Sequence, residues 1–246
     1  MKNINIFIQG IFLILVLNSC KTIDTAADVI VYKDSIFIKT TDKLTINIQK
    51  GESFNHPSFV LWMEDTDGKY INTIFITKSY ASGIFKHEMV GDTLWLKSGG
   101  QSYQPSALPY WTYKKGLIDE KYLVPTPEHP YLDGLTGATP DKDFKLMTGS
   151  KPNKDQYRIL LEVNQPWDWN KFWTNNKYPD SPAYKHSAQP SIIYAVLINQ
   201  EDSKYYLNPI GHGDPKGESG KLFTDINTLT TVKQIFESIS IDIEKN

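Results

Sequence analysis

SFVLWMEDTDGKYINTIFIT, residues 58–77, contains two apolar runs around an acidic centre with one glycine. The first run closes at Met63, Asp67-Gly68 supplies turn chemistry, and the second run alternates through Tyr70, Ile74 and Ile76. Apolar runs on both sides of an Asp-Gly pair predict a β-hairpin. Its neighbours then fall into the same class. Upstream, DVIVY, SIFIK and KLTINIQ read as three short strands rich in isoleucine and valine. Downstream, QYRILLEV and SIIYAVLIN are strand candidates. KYYLNPIG is the expected partner of the second across Glu201-Asp202-Ser203, and SISIDI closes the chain as an alternating strand. One helix is expected, within DINTLTTVKQIFESI. Asp225 or Thr228 caps it, and Leu229, Val232, Ile235 and Phe236 line one face.

Many short strands, one C-terminal helix and frequent turns point to a mostly all-β chain, an immunoglobulin/fibronectin-like β-sandwich. The stretch 98–144 departs from this rhythm. Pro105, Pro109, Pro125, Pro127, Pro130 and Pro140 break it up, and few runs in it are suited to a sheet. It is expected as a long loop region within a single domain, residues 20–246, and loops of that length usually carry function.

The N-terminus, MKNINIFIQGIFLILVLNSCK, has a lysine, an apolar run from Ile11 to Leu17 and small residues before Cys20. That order describes a secretory signal, residues 1–19, with an apolar run too short to span a bilayer comfortably. Cys20 is the only cysteine, so no intramolecular disulfide forms. The Leu-Asn-Ser-Cys end resembles a bacterial lipobox. The resemblance implies cleavage before Cys20, lipid on its side chain, and an anchor in the cell envelope. No acidic cluster follows Cys20, so a periplasm-facing anchor is expected. An ordinary signal with an incidental cysteine is the alternative.

The formal net charge of −2 gives no basic field for nucleic acid. Arg158 is the only arginine, which excludes a phosphate or carboxylate clamp built from an arginine cluster. His56, His87, His129, His186 and His212 stand far apart with no metal-ligand spacing, so no metal is expected. There is no Gly-x-Ser-x-Gly elbow, and GHGDPKGESGK lacks P-loop order, so no catalytic residue is assigned. Aromatics cluster in QPWDWNKFW (Trp167, Trp169, Phe172, Trp173) and in LPYWTYKKG (Tyr110, Trp111, Tyr113). Rings of this kind either fill a core or form a stacking platform for a sugar or a flavin.

One stretch of the loop region is more specific. Asp133-Gly134-Leu135-Thr136-Gly137-Ala138-Thr139 resembles the Asp-Gly-x-Ser/Thr-Gly-Ala-Thr motif of bacterial flavin transferase substrates, such as the FMN-carrying subunits of sodium-pumping NADH:quinone reductase. The resemblance implies that a flavin transferase moves FMN from FAD onto the hydroxyl of Thr139. Gly134, Gly137 and Ala138 would keep the backbone thin, and Asp133 would position the segment or a magnesium ion. Asp-Gly also starts turns, and Pro140 holds the residue before it extended, so a structural turn uses the same residues.

FVLWMEDTDGKYINTIFIT, QPSIIYAVLIN and TTVKQIFESISIDI are together similar to a family of exported immunoglobulin-like proteins that occur beside flavin transferases and membrane-bound flavin reductases. The two resemblances imply a lipid-anchored carrier of covalent FMN, or an accessory of flavin-based electron transfer, working with a membrane-bound redox partner. Such a chain is not an autonomous enzyme. Two alternatives stay open: a non-catalytic lipoprotein that binds glycans or another envelope component through its aromatic loops, and a structural envelope module.

Overall fold

The structure is a computed structural model that describes residues 28–32, 38–90, 94–152, 154–199 and 201–245. The signal segment and Cys20 lie outside them. In chain order the elements are β1 (Asp28–Tyr32), β2 (Ile38–Lys50), β3 (Ser58–Glu64), β4 (Tyr70–Thr77), α1 (Lys78–Ser82), β5 (Ile84–Phe85), β6 (Glu88–Val90), β7 (Leu94–Leu96) and β8 (Gly100–Gln101). Then follow α2 (Pro109–Lys115), β9 (Leu135–Gly137), β10 (Phe144–Lys151), β11 (Tyr157–Asn164), α3 (Pro182–Ser187), β12 (Ile192–Ile198), β13 (Lys204–Tyr206), β14 (Asn208–His212), a 3-10 turn (Thr231–Gln234) and β15 (Phe236–Glu244).

Two sheets carry the fold, ordered β1-β10-β2-β15-β13 and β14-β12-β11-β3-β4-β9. The chain is a mostly-β sandwich, as the strand pattern predicts. Along β2, Leu44, Ile46 and Ile48 are buried while Lys43, Thr45, Asn47 and Gln49 point away from the core. That is the alternation of a sheet with one covered face. β15 follows the same rule through Ile239 and Ile241, after a register shift near Phe236. From the facing sheet come Phe59, Leu61 and Met63 of β3 and Ile159, Leu161 and Val163 of β11.

The six-stranded sheet differs because both of its faces are buried. Every residue of β3 is buried, including Val60 and Trp62, which point away from the sandwich core. Described residues between Tyr80 and Tyr131 form a third layer over this outer face. Ala107, Leu108, Tyr110 and Trp111 from around α2, with Tyr80, Val124 and Tyr131, pack on Val60, Trp62, Ile76, Leu160 and Ile193. The proline-rich stretch is therefore largely a cap rather than an open loop.

Glu162 of β11 locks the cap down. Leu108, the residue before α2, offers no side-chain acceptor to the helix. Glu162, fully buried, takes that place: Oε1 accepts from Tyr110 N at 3.1 Å and Oε2 from Trp111 N at 2.7 Å. A carboxyl group facing the free N–H groups of a helix start satisfies donors that the helix itself leaves open. Ser191 Oγ donates to the same Oε1 at 2.5 Å.

Three further expectations change. Residues 35–37 lie outside the described set, and from Ile38 the chain runs as one strand, so the second and third upstream strands join. KYYLNPIG divides: β13 pairs with β15 in one sheet and β14 with β12 in the other, the chain crossing at Leu207. The C-terminal helix is a four-residue 3-10 turn. Leu229, Val232 and Ile235 are all buried, but only Val232 lies within the turn, whose N-cap is Thr230 rather than Asp225 or Thr228. The hairpin is as expected, with Gly68 at φ 78 and Asp65 Oδ1 accepting from Asp67 N and Lys69 N.

Candidate functional site

Residues 133–139 run through one short strand, β9, and its flanks. Leu135–Gly137 pair parallel to Phe75–Thr77, and β9 is the last strand of the six-stranded sheet. Asp133, Thr136 and Ala138 are exposed, while Gly134, Gly137 and Thr139 are half-buried. The strand lies close on its neighbour because two positions carry no side chain. A Cβ on Gly134 would stand 2.9 Å from Thr73 Cγ2, and one on Gly137 would stand 3.0 Å from the Phe75 ring. Thr139 Oγ1 donates to Pro57 O at 3.1 Å, just past the end of the pairing. Both glycines thus have a packing reason, and the hydroxyl sits at the surface with a main-chain carbonyl as acceptor.

The aromatic stretches separate. Trp111 and Tyr110 belong to the buried cap, and Trp111 Nε1 donates to Thr73 Oγ1 at 2.9 Å. Trp173 is 5% exposed, whereas Trp167, Trp169 and Phe172 stand 41%, 44% and 49% exposed. Only part of QPWDWNKFW is therefore open to a ligand.

Of these rings, Phe172 and Trp173 edge a groove of about 680 Å³, which Trp167 and Trp169 do not line. Phe172, Trp173 and Tyr178 line it together with His212, Phe223 and Asp225, and the Trp173 and His212 rings meet edge to face at 5.9 Å. His212 ends β14, and the bridge His212 N to Phe223 O, 2.7 Å, brings the later segment alongside. The two rings stack at 5.2 Å and 13°. His212 Nδ1 donates to Gly213 O at 2.7 Å, leaving Nε2 as the acceptor of the neutral ring. Burial holds this imidazole below the ordinary histidine range, against the opposing pull of Gly213 O, Asp225 and Asp214. Asp214, also in the lining, is fixed by Lys216 N at 2.9 Å and Ser219 Oγ at 2.6 Å.

The sequence reading missed His212, Asp214, Phe223 and Asp225 as one group. The signal was present in GHGDPKGESGKLFTD, which combines acids, a histidine and a ring among glycines. Phosphate-loop order is absent from it, and only the fold brings its acids and rings together. Among the described residues, no three histidine, cysteine or acidic side chains are grouped to hold a metal ion, and no helix is long and apolar enough to cross a membrane. Comparisons with family models, curated proteins and solved structures find no match for the chain.

Proposed function

We propose that the protein is a lipid-anchored, periplasm-facing flavin carrier, with FMN esterified to Thr139 and electrons exchanged with a membrane-bound redox partner. The observation that carries this reading is the position of residues 133–139 along a sheet margin: Leu135–Gly137 form the edge strand β9, which has no strand on its outer side among the described residues, and Asp133 and Thr139 flank it. An exposed edge can be read by another protein through main-chain hydrogen bonds, with alternate side chains supplying specificity. Asp133, Thr136 and Ala138 are the exposed residues available for that recognition.

In the transfer, Thr139 Oγ attacks the FMN phosphorus of FAD. The new O–P bond replaces the bond to AMP, which leaves, and the hydroxyl proton is lost. The Thr139 hydroxyl must first give up its bond to Pro57 O, an exchange that costs about 1 kcal/mol. The flavin then supplies the redox chemistry, while the chain holds and orients it.

The test is the intact mass of protein co-expressed with a flavin transferase. The expected mass exceeds that of the chain by one FMN less one water, with flavin fluorescence that survives a denaturing gel. Thr139→Ala should remove both signals and leave the melting temperature nearly unchanged. Wild-type protein of unmodified mass from that host overturns the proposal and leaves β9 a structural edge.

A further inference from the structure

We infer that the groove between Trp173 and Phe223 binds a neutral sugar unit of a glycan, with one face of the pyranose on the aromatic walls and its hydroxyls on the acidic rim. The volume of about 680 Å³ suits a small ligand. Phe172, Trp173 and Phe223 offer apolar surface, which favours a ligand with at least one C–H face.

The polar groups decide the class. Asp214, Asp225 and His212 Nε2 are acceptors, so the ligand must bring donors. Asp214 is held rigid by its two bonds and still has lone pairs for a hydroxyl. An anion is disfavoured twice: two carboxylates line the groove, and the only arginine is occupied with Glu64 at 3.6 Å. A cationic ligand meets two lysines. Lys177 Nζ already sits 3.4 Å from the Phe172 centroid and 4.8 Å from that of Trp173, and Lys216 stands in the lining beside Glu218. A neutral polyol carries no charge to meet these objections, and because Lys177 lies over Phe172 and Trp173 its apolar face is best received by the exposed Phe223 ring, which stacks on His212. The flavin of the previous section does not fit, because its phosphate is anionic and its ring edge is rich in acceptors. The sugar site is therefore independent of Thr139.

The test titrates the protein, without flavin, with cellobiose, maltose and N,N′-diacetylchitobiose. Binding is followed by tryptophan fluorescence, since Trp173 forms a wall, and by calorimetry. At least one of the three should bind saturably. Asp225→Asn and Phe223→Leu should each weaken that binding about tenfold or more with little change in melting temperature, because both residues are exposed. Thr139→Ala should leave it intact. Failure of all three disaccharides to bind overturns the inference. So does preferential binding of tetramethylammonium, or unchanged affinity in both groove variants. None of these outcomes bears on the mass test for flavin.

Discussion

Trp111 donates its main-chain N–H to Glu162 Oε2 at 2.7 Å, which ties the capping layer to a central strand of the sheet beneath it. The bond belongs to a carboxyl that has no access to water. Burial pushes Glu162 up to about 7 from the ordinary 4.5, against the pull of Ser191, Trp111 and Tyr110.

The consequence is a stability that declines with pH. Below the unfolded-state value Glu162 is protonated in both states and exacts no penalty. Between 4.5 and about 7 the unfolded chain loses this proton while the folded chain keeps it, so stability falls, and above that range the loss is complete. The total is at most a few kcal/mol. Melting temperatures measured across this range should fall more steeply for wild type than for Glu162→Gln. Parallel profiles would show that Glu162 titrates normally.

Arg158 stands 3.6 Å from Glu64, whose carboxylate is fully buried and also accepts from Trp62 Nε1 at 2.9 Å. Arg158→Ala should cost about 3 kcal/mol by leaving that charge poorly compensated, although Lys114 remains at 3.6 Å. Adding Glu64→Gln should recover part of the loss. Chemical denaturation of both variants checks the order, and a double variant no more stable than the single one would contradict it.

Gly134, just before β9, and Thr136, within it, separate packing from recognition. Gly134→Ala forces a Cβ against Thr73 and should cost about 1–2 kcal/mol. Thr136→Ala, at an exposed position, should stay within about 0.5 kcal/mol of wild type yet reduce flavin labelling. Equal labelling of Thr136→Ala and wild type would remove that side chain from recognition.

Cys20→Ala should move the protein from the membrane fraction to the soluble one. Several acyl chains hold a protein firmly, whereas a single chain binds only marginally. A variant that stays with membranes after a salt wash would assign the attachment to something else.

The hairpin and most strands were legible because an alternating strand declares its period locally, as Leu44, Ile46 and Ile48 do. β3 was legible as apolar but not as doubly covered, since its second partner is a layer that begins only at Tyr80 and includes residues distant in sequence. Ala107, Leu108, Trp111, Val124 and Tyr131 are scattered among prolines and acquire a common face only when laid on Trp62 and Leu160. For the C-terminal turn, spacings of three fitted a helix as well as a 3-10 turn, and entry into β15 decided between them. KYYLNPIG has strand character throughout, but nothing local says that it changes sheets at Leu207. Residues 133–139 are legible as a unit, and they run through β9 and its two flanks. The groove was not recognised, because His212 and Phe223 meet only through a bridge across an intervening loop.

The central strands β3 and β11 have a paired strand on either edge and a packed layer on either face. Their amides can meet solvent only if the cap or one sheet first comes away, so hydrogen–deuterium exchange should rank them last in the molecule. β9 and β13, at the sheet margins, should exchange through small local openings. Proteolysis and labelling enzymes working on the native ensemble would then find the margin that carries Thr139 accessible long before the interior loosens.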